Sequence, residues 1–392
     1  MRSLSLATVF AALSGFVVLW VASWALDAAT DYRYFAAFWG LFFASAGLID
    51  GITHETTRAV ATQRDTGTLG DASPWRTGQF LSLAVFAAAL LAGSAFMVKV
   101  VPTDTAQATA LLLFGLISYV FQAVLSGVLS GAKLWERYAG LIAFDSGIRL
   151  VLAVVAWWAG WGLEAFLFIT VVGALSWVLF LRNKVRARVD VDKRVFARRV
   201  GSAMLASGAS AALITGFPTA ANAAFDLSEG AVVAATINAV MLTRAPVLVP
   251  LQRFQAALVV RFVEQRERIF AALAAPIGIV LGVGIVGFGA AYLLGPAVLR
   301  LAFKPELFVD GITLGFLTFA SAFMGALMIT GVAVLAQESH GWYVAGWVVA
   351  SVVAFALLFL LPYSVPTTVI AALFAGPIVG CAVHAAGLAR SV

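Results

Sequence analysis

Charge is scarce in this sequence, and its scarcity excludes a water-soluble protein. Only 11% of the 392 residues are Asp, Glu, Lys or Arg, whereas 62% are apolar. A soluble domain carries about a quarter of its residues as charges, which keep its surface hydrated. We therefore expect the chain to lie in a lipid bilayer.

Cysteine and histidine are also nearly absent. The single cysteine, Cys381, cannot form a disulfide within the chain, so cysteine usage does not indicate a compartment. Three scattered histidines and one cysteine do not favour a dedicated metal centre. We expect the protein to need neither a metal ion nor a cofactor.

Motifs of catalysis are missing too. The sequence has no G-x-S-x-G, H-E-x-x-H or G-x-x-x-x-G-K-[ST] pattern. One D-x-D match, Asp190-Val191-Asp192, lies among basic residues without a folded domain around it, and we interpret it as ordinary loop charge. The sequence indicates a protein that moves a molecule and is not an enzyme, with a membrane glycosyltransferase as a weaker alternative.

Long apolar runs are what the sequence has in abundance. Continuous runs of about 20 apolar residues predict membrane-spanning helices, whereas the strands of a membrane β-barrel would alternate apolar and polar residues. We predict an all-α polytopic membrane protein with about 12 transmembrane helices, which cover residues 5–26, 34–52, 78–101, 108–131, 138–160, 163–181, 203–225, 230–251, 270–294, 311–336, 342–361 and 366–388.

The basic residues orient these spans, because cytoplasmic loops of membrane proteins are enriched in Lys and Arg. If the N-terminus is cytoplasmic, four of the 25 bases fall on the outer side and two, Arg149 and Arg244, fall within spans. The other nineteen then face the cytoplasm, so both termini are predicted to be cytoplasmic. The four outer bases are Arg33, Lys99, Arg300 and Lys304.

A polar, strongly basic segment at residues 182–202, predicted to be a loop, separates the sixth span from the seventh. It divides the chain into an N-terminal six-helix bundle at 1–190 and a C-terminal six-helix bundle at 191–392. Because each half begins on the same side, the halves are predicted to be parallel repeats, as in several transporters.

Ionisable residues within spans are costly and are candidates for function. Asp145 and Arg149 are four residues apart, the favourable order for a helical ion pair. The pair either fixes helix packing or takes part in substrate or ion movement. Arg244 has no acidic residue on its own span, so its charge is met by another helix, by water or by an anionic substrate, or else it extends to the inner interface.

The end of the second span is rich in polar residues. If the helix continues inward, Asp50, Thr53, His54 and Thr57 share a stripe, and Glu55 neighbours Arg58. Such a stripe suits the mouth of a cavity or an ordinary amphipathic extension into water. Further polar or helix-bending candidates in the seventh and eighth spans are Asn222, Asn238, Pro218, Pro246 and Pro250.

Three segments resemble a known family. Gly127-Val-Leu-Ser-Gly131-Ala-Lys-Leu-Trp-Glu-Arg137-Tyr138, followed by Asp145-Ser-Gly-Ile-Arg149, is similar to the fourth-to-fifth helix region of Wzx-type polysaccharide flippases. Those flippases belong to the multidrug/oligosaccharidyl-lipid/polysaccharide (MOP) exporter superfamily. The stretch from Phe42 to Ala61, which contains Thr56-Thr57-Arg58, resembles the second helix of the family, and Arg244-Ala-Pro246 with Pro250-Leu-Gln252 resembles its eighth.

The resemblance implies two bundles around a central cationic cavity that opens alternately to each face. The substrate would be a polyprenyl-diphosphate-linked sugar, with Arg58 and Arg244 as contacts for its diphosphate or anionic headgroup and Asn222 as a polar group of the cavity. Other cavity or coupling candidates are Asp50, His54, Glu55, Asp145, Arg149 and Asn238. The first span carries no charge, unlike lipid II flippases and many drug exporters of the superfamily, which leaves oligosaccharide-lipid translocation as the preferred branch.

We therefore expect a flippase of the inner (cytoplasmic) membrane that delivers precursors for cell-surface glycans. Its expected partners are the lipid-linked glycan, membrane lipids and, as candidates, cell-envelope glycosyltransferases or a polymerase. No nucleic acid is expected. The alternatives are a cation-coupled drug antiporter on the same fold and a non-transporting scaffold that recruits cell-wall enzymes.

Overall fold

A computed structural model of the protein describes residues 2–181 and 188–391. The side chains of 2, 89–95, 227, 249–250, 252–253, 256–257 and 391 lie outside this description. The described residues form helices and no strand: α1 Arg2–Ala25, α2 Arg33–Thr66, α3 Pro74–Val100, α4 Thr105–Gly131, α5 Trp135–Trp158, α6 Leu163–Val172, α7 Trp177–Phe180, α8 Lys193–Ile214, α9 Phe217–Ala224, α10 Gly230–Glu264, α11 Ile269–Ala302, α12 Gly311–Ala336, α13 His340–Leu360 and α14 Val365–Ser391.

This architecture confirms the predicted all-α membrane fold. Each of the twelve predicted spans coincides with a helix or with a broken helix. Within the described residues, ten helical segments are long and apolar enough to cross a membrane, and α8 with α9 makes an eleventh if the bent pair is one span. Helix α3 occupies the remaining predicted span.

The ends and interiors of several spans differ from the prediction. The basic segment was predicted to be a loop as far as residue 202, but α8 begins at Lys193, where the Asp192 carboxylate caps the helix by accepting the Val195 N–H at 2.9 Å. Helix α10 continues to Glu264 instead of ending near 251. Charged residues are good helix formers once a helix has left the bilayer, so the apolar run marks the span and not the helix.

Two spans are broken. The sixth consists of α6, a 3₁₀ turn at Gly173–Leu175 and α7. The seventh bends by 54° between α8 and α9. Breaks of this kind free backbone carbonyls inside a span, and these carbonyls need donors from the protein.

The chain divides into two compact units that do not follow chain order. Unit 1 comprises residues 1–27 and 34–219, and unit 2 comprises residues 28–33 and 220–392. Helix α8 thus belongs to unit 1, and the π-helical turn Ala28–Tyr32 belongs to unit 2. The predicted division into six-helix bundles at residue 190 counts spans along the chain and stays a prediction.

Within unit 1, α2 packs closely against two helices through glycines. A side chain at Gly131 of α4 would approach the Thr57 carbonyl oxygen to 2.7 Å, so the G-x-x-x-G pair of α4 allows the two backbones to meet. On the other side of α2, a side chain at Gly51 would lie 2.2 Å from the backbone nitrogen of Met204 on α8. We call this second contact the α2–α8 seam.

Within unit 2, α12 is the central helix. It packs against α10, α11 and α14, and most of its residues are buried. Helix α13 packs against α14. The absence of Asp, Glu, Lys and Arg from α12 fits its place in the core.

Candidate functional site

Helix α2 continues inward to Thr66, as the predicted polar stripe requires. One side of the stripe faces α4. The Tyr119 hydroxyl donates to the Asp50 carboxylate at 2.9 Å. One turn further along α2, the Thr53 hydroxyl donates to a carbonyl of α4. After another turn, the Thr57 hydroxyl lies 2.6 Å from the Ser130 hydroxyl. These side chains bind α2 to α4 inside unit 1.

The opposite side of the stripe faces α8. His54 is exposed, and its Nδ1 atom lies 3.3 Å from the Ser207 hydroxyl. It stands one turn beyond Gly51, so this polar contact extends the α2–α8 seam. The predicted stripe is therefore shared between two neighbouring helices.

Arg58 is held between two carboxylates. Its Nε and Nη2 atoms donate to Glu55 at 2.9 and 2.7 Å, and Nη1 and Nη2 donate to Asp190 at 3.1 and 3.2 Å. The Glu55–Arg58 contact was predicted from their spacing of three residues, and the structure confirms it. Arg199 of α8 lies 4.0 Å from Glu55. A guanidinium is able to bind an oxyanion through two parallel hydrogen bonds. In this structure the groups bound to Arg58 are the Glu55 and Asp190 carboxylates.

The segment at residues 188–193 carries Asp190 and is fixed to the loop between α2 and α3. The Gly70 N–H donates to the Val189 carbonyl at 2.8 Å, and Lys193 forms an ion pair with Asp71 at 3.1 Å. The ammonium of Lys193 bonds the Asp71 carboxylate and lowers the pKa of that carboxyl. Because the segment is anchored on both sides of Asp190, this carboxylate is held in position beside Arg58.

Asp145 and Arg149 form the predicted ion pair, with 2.9 Å between Oδ1 and Nη1. Arg149 also donates through Nε to the Thr170 carbonyl at 3.0 Å, beside the break in the sixth span. Its guanidinium lies 5.2 Å from the centre of the Phe43 ring. These contacts are those of a pair that fixes helix packing in unit 1. A role in transport stays a prediction.

Arg244 and Asn238 both lie on α10 in unit 2, and both are buried. Asn238 accepts a hydrogen bond from the Tyr32 hydroxyl at 2.9 Å. Arg244 places a permanent positive charge within the span, six residues further along the same helix. A fixed cation at this depth is a means of holding an anionic group away from water.

Asn222 is bound by Arg33, which is predicted from the sequence only as an outer base. The Arg33 side chain donates to the Asn222 side-chain oxygen and, at 2.7–3.0 Å, to the carbonyls of Asn222, Phe225 and Asp226. The Asn222 carbonyl belongs to the last turn of α9, and the other two directly follow it. Carbonyls at the end of a helix have no acceptor role within the helix and need donors from elsewhere. Arg33 is only 1% exposed and thus caps α9 inside unit 2.

The predicted bending prolines have different surroundings. Pro218 lies in the first turn of α9, directly after the 54° bend, where a proline needs no hydrogen-bond donor. Pro246 lies within the continuous helix α10 and is exposed. Pro250 falls among the positions whose side chains are outside the description.

Sequence reasoning missed Asp190, Tyr119 and Arg33 as contributors. Each contacts its partner across 69 or more positions of the chain. The only available signal was the sign of charge, an acidic residue within a basic segment in the case of Asp190. That signal does not identify a partner.

The fold is that of the MOP transporters. A multidrug-resistance MATE family transporter of the MOP superfamily in an inward-facing conformation superposes with a TM-score of 0.76 over 97% of this chain and 94% of the other, at 15% identity. A MATE structure in the straight conformation gives 0.69. A MOP transporter from Pyrococcus furiosus gives 0.64. The protein is a multi-pass membrane protein of the twelve-helix MOP/MATE fold.

Sequence comparison places the chain in a family that has members in mycobacteria. It is 36% identical to the uncharacterised protein Rv1510 of Mycobacterium tuberculosis H37Rv over 98% of this chain and 90% of that protein. It is 35% identical to the uncharacterised protein Mb3654 of Mycobacterium bovis over 98% and 91%. The chain belongs to the family of these proteins. No family model matches it.

Proposed function

We propose that the protein is a flippase that moves a polyprenyl-diphosphate-linked oligosaccharide from the inner to the outer leaflet of the cytoplasmic membrane. The observation that carries the proposal is Arg244, a buried arginine in a span of a MOP-fold transporter. A diphosphate that crosses the hydrocarbon layer needs fixed positive charge in place of its water, while the prenyl chain stays in lipid.

The positive sign of this charge suits an anionic headgroup. The Pyrococcus furiosus relative is described as having a binding pocket of reverse polarity that suggests a different function. Pocket polarity is therefore a property that varies within this fold. In the present chain, the buried permanent charge of α10 is positive.

Arg58 is the second proposed contact. In this structure Asp190 occupies the outer edge of its guanidinium bidentately, the geometry that a phosphate would adopt. Binding of the headgroup at Arg58 would have to displace Asp190, while Glu55 stays on the other edge. Arg58 would then act after the 188–193 segment has moved.

Depletion of the protein followed by leaflet-resolved detection of prenyl-linked sugars tests the proposal. We expect completed intermediates to accumulate on the inner leaflet. Arg244→Gln should reach the membrane at the normal level and fail to restore delivery, whereas Arg137→Gln, at an exposed position of α5, should restore it fully. Normal outer-leaflet delivery in depleted cells would refute the proposal.

One observation favours a second function, cation-coupled antiport. Asp50 is hydrogen-bonded to a neutral phenol, and among the described residues no basic side chain lies within 4.0 Å of its carboxylate. A carboxylate in that setting is able to take up a cation or proton. Full transport by the Asp50→Asn, Asp145→Asn double variant would remove this alternative.

A further inference from the structure

A histidine that the proposed flippase mechanism does not use lies in the core of unit 2. His384 of α14 is fully buried and contacts α12 and α13. Gly346 of α13 leaves room for the imidazole, because a side chain at this position would collide with Nε2. The Tyr343 ring is nearly parallel to the imidazole, at 12° and 6.2 Å. The core is thus built around an imidazole.

Both ring nitrogens of His384 have partners. Nε2 lies 3.2 Å from the Tyr343 carbonyl oxygen. A carbonyl only accepts, so Nε2 carries a hydrogen in every protonation state. Nδ1 lies 2.9 Å from the Thr330 hydroxyl. In the neutral ring, Nδ1 is the acceptor and Thr330 is the donor.

Thr330 is able to serve the charged ring equally well. Its hydroxyl oxygen also lies 3.0 Å from the Leu327 carbonyl. When Nδ1 takes up a proton, the new N–H donates to the Thr330 oxygen, and the Thr330 hydrogen turns to the Leu327 carbonyl. One added proton converts imidazole to imidazolium, and each polar atom keeps a partner without any movement of heavy atoms.

Thr330 also connects His384 to a cavity. Thr330 and Cys381 line a cavity of about 400 Å³ whose other walls come from α11 and α14. His384 lies seven residues before the end of α14, a rise of about 10 Å along the helix. Thr330 thus contacts both the cavity and the His384 ring, and His384 is not among the residues that line the cavity.

Few titratable groups lie on the helices that pack against His384. Within the described part of unit 2, no carboxylate forms an ion pair with His384. Cys381 lies 3.7 Å from Thr330, and the cavity wall contributed by α11 is apolar. The remaining titratable or charged groups of α13, of α14 and of the turn after α12 are Tyr343, His340, Arg390 and Glu338. Arg390 lies over the Trp342 ring, and Glu338 pairs with Arg266.

We propose that His384 is a reversible proton-binding site, loaded through Thr330, that gives the transporter a protonation step in the core of unit 2. The bound ligand is a single proton, and its binding changes the charge of the contact among α12, α13 and α14. The site needs no particular transported substrate, so it stands or falls separately from the flippase proposal.

Nuclear magnetic resonance of the full chain, labelled with ¹⁵N at histidine and held in lipid nanodiscs, tests the site. The chain has three histidines, so His54→Gln and His340→Gln assign the signals. We expect the His384 ring to be protonated on Nε2 alone at high pH and on both nitrogens at low pH, with the change fully reversible. Exposed His54 reports that the titration has worked.

Thr330→Val provides the decisive comparison. It removes the acceptor of the charged ring, and hydrogen bonds to charged groups are the stronger ones, so proton affinity should fall about three- to tenfold. Thr330→Ser should restore it. Thr318→Val, which removes a buried hydroxyl of the same helix that donates to the Leu314 carbonyl at 2.8 Å, should leave the titration unchanged. A His384 ring that stays neutral until the protein unfolds, or equal titrations in the Thr330→Val and wild-type proteins, would overturn the proposal.

Discussion

At the scale of single residues, the buried ion pair of Asp145 and Arg149 needs the space that a neighbouring glycine leaves. A side chain at Gly173 would lie 2.0 Å from the Asp145 carboxylate and 2.5 Å from the guanidinium carbon of Arg149. The glycine therefore gives the ion pair room beside the broken sixth span. Any added carbon must move a charge that is buried in unit 1.

Gly173→Ala should destabilise the protein for this reason. We expect a loss of roughly 1–3 kcal/mol, the cost of overpacking a core, and a lower melting temperature in detergent. Gly278→Ala in α11 is the matched control, since nothing lies within 4 Å of its added carbon, and it should be neutral or slightly stabilising. Equal melting temperatures for the two variants would contradict the interpretation.

Residue pairs were predictable only where the helix itself sets the distance. The spacings of Asp145 to Arg149 and of Glu55 to Arg58 place each pair on one face, and both pairs form. Asp190 reaches Arg58 from 132 positions away, and no periodicity encodes such a contact. Its acidic side chain looked like ordinary loop charge because its partner is set by the tertiary fold.

At the scale of elements, α2 is the helix on which unit 1 is organised. It meets α4 through the glycines of α4, and it meets α8 through glycines of its own and through Gly208. Such contacts bring backbones together without a hydrophobic driving force between helices, so they depend on the absence of side chains.

Gly51→Ala should therefore disrupt the α2–α8 seam. The added carbon meets backbone atoms of Met204, which cannot turn aside as a side chain can. We expect a lower yield of folded protein by size-exclusion chromatography and faster cleavage by trypsin near Arg188 and Lys193. Gly201→Ala, on α8 itself with open space around it, should behave like the wild type. If both variants were equally affected, the seam would not be the cause.

The extent of each element was less predictable than its existence. Apolar runs locate the spans because lipid contact requires them. They do not mark where α8 begins or α10 ends, because both helices continue into polar surroundings where their charged residues are equally stable. Likewise, the end of α9 depends on Arg33, a partner distant in sequence, which donates to the carbonyls of Asn222, Phe225 and Asp226.

At the scale of the whole molecule, the uneven distribution of Lys and Arg predicts the topology. With both termini in the cytoplasm, Thr68 lies inside and Trp161 lies outside, and both side chains are exposed. The single native cysteine makes the test simple.

In a Cys381→Ala background, Trp161→Cys should react with a membrane-impermeant maleimide on intact cells, and Thr68→Cys should react only after lysis. The reverse pattern would invert the topology. Labelling at both positions before lysis would indicate leaky cells, which a cytoplasmic marker protein would reveal.

The general fold was accessible from sequence because hydrophobicity and a family resemblance point the same way, and the structural neighbours agree. The substrate could not be predicted from the sequence, because its recognition depends on which side chains the folded chain brings together. Arg244 is conspicuous in the sequence as a charge within a span, whereas the Thr330–His384 contact unites residues 54 positions apart that looked unremarkable.

The exchange of segments between the units has a consequence for how the molecule can be divided. A fragment ending at residue 190 keeps α2 but loses α8, which covers one of its faces, and the complementary fragment loses the turn at 28–33 together with the arginine that caps α9. Neither fragment would contain all the segments of one compact unit. Two separately translated halves would therefore have to exchange these segments before either unit could complete its packing.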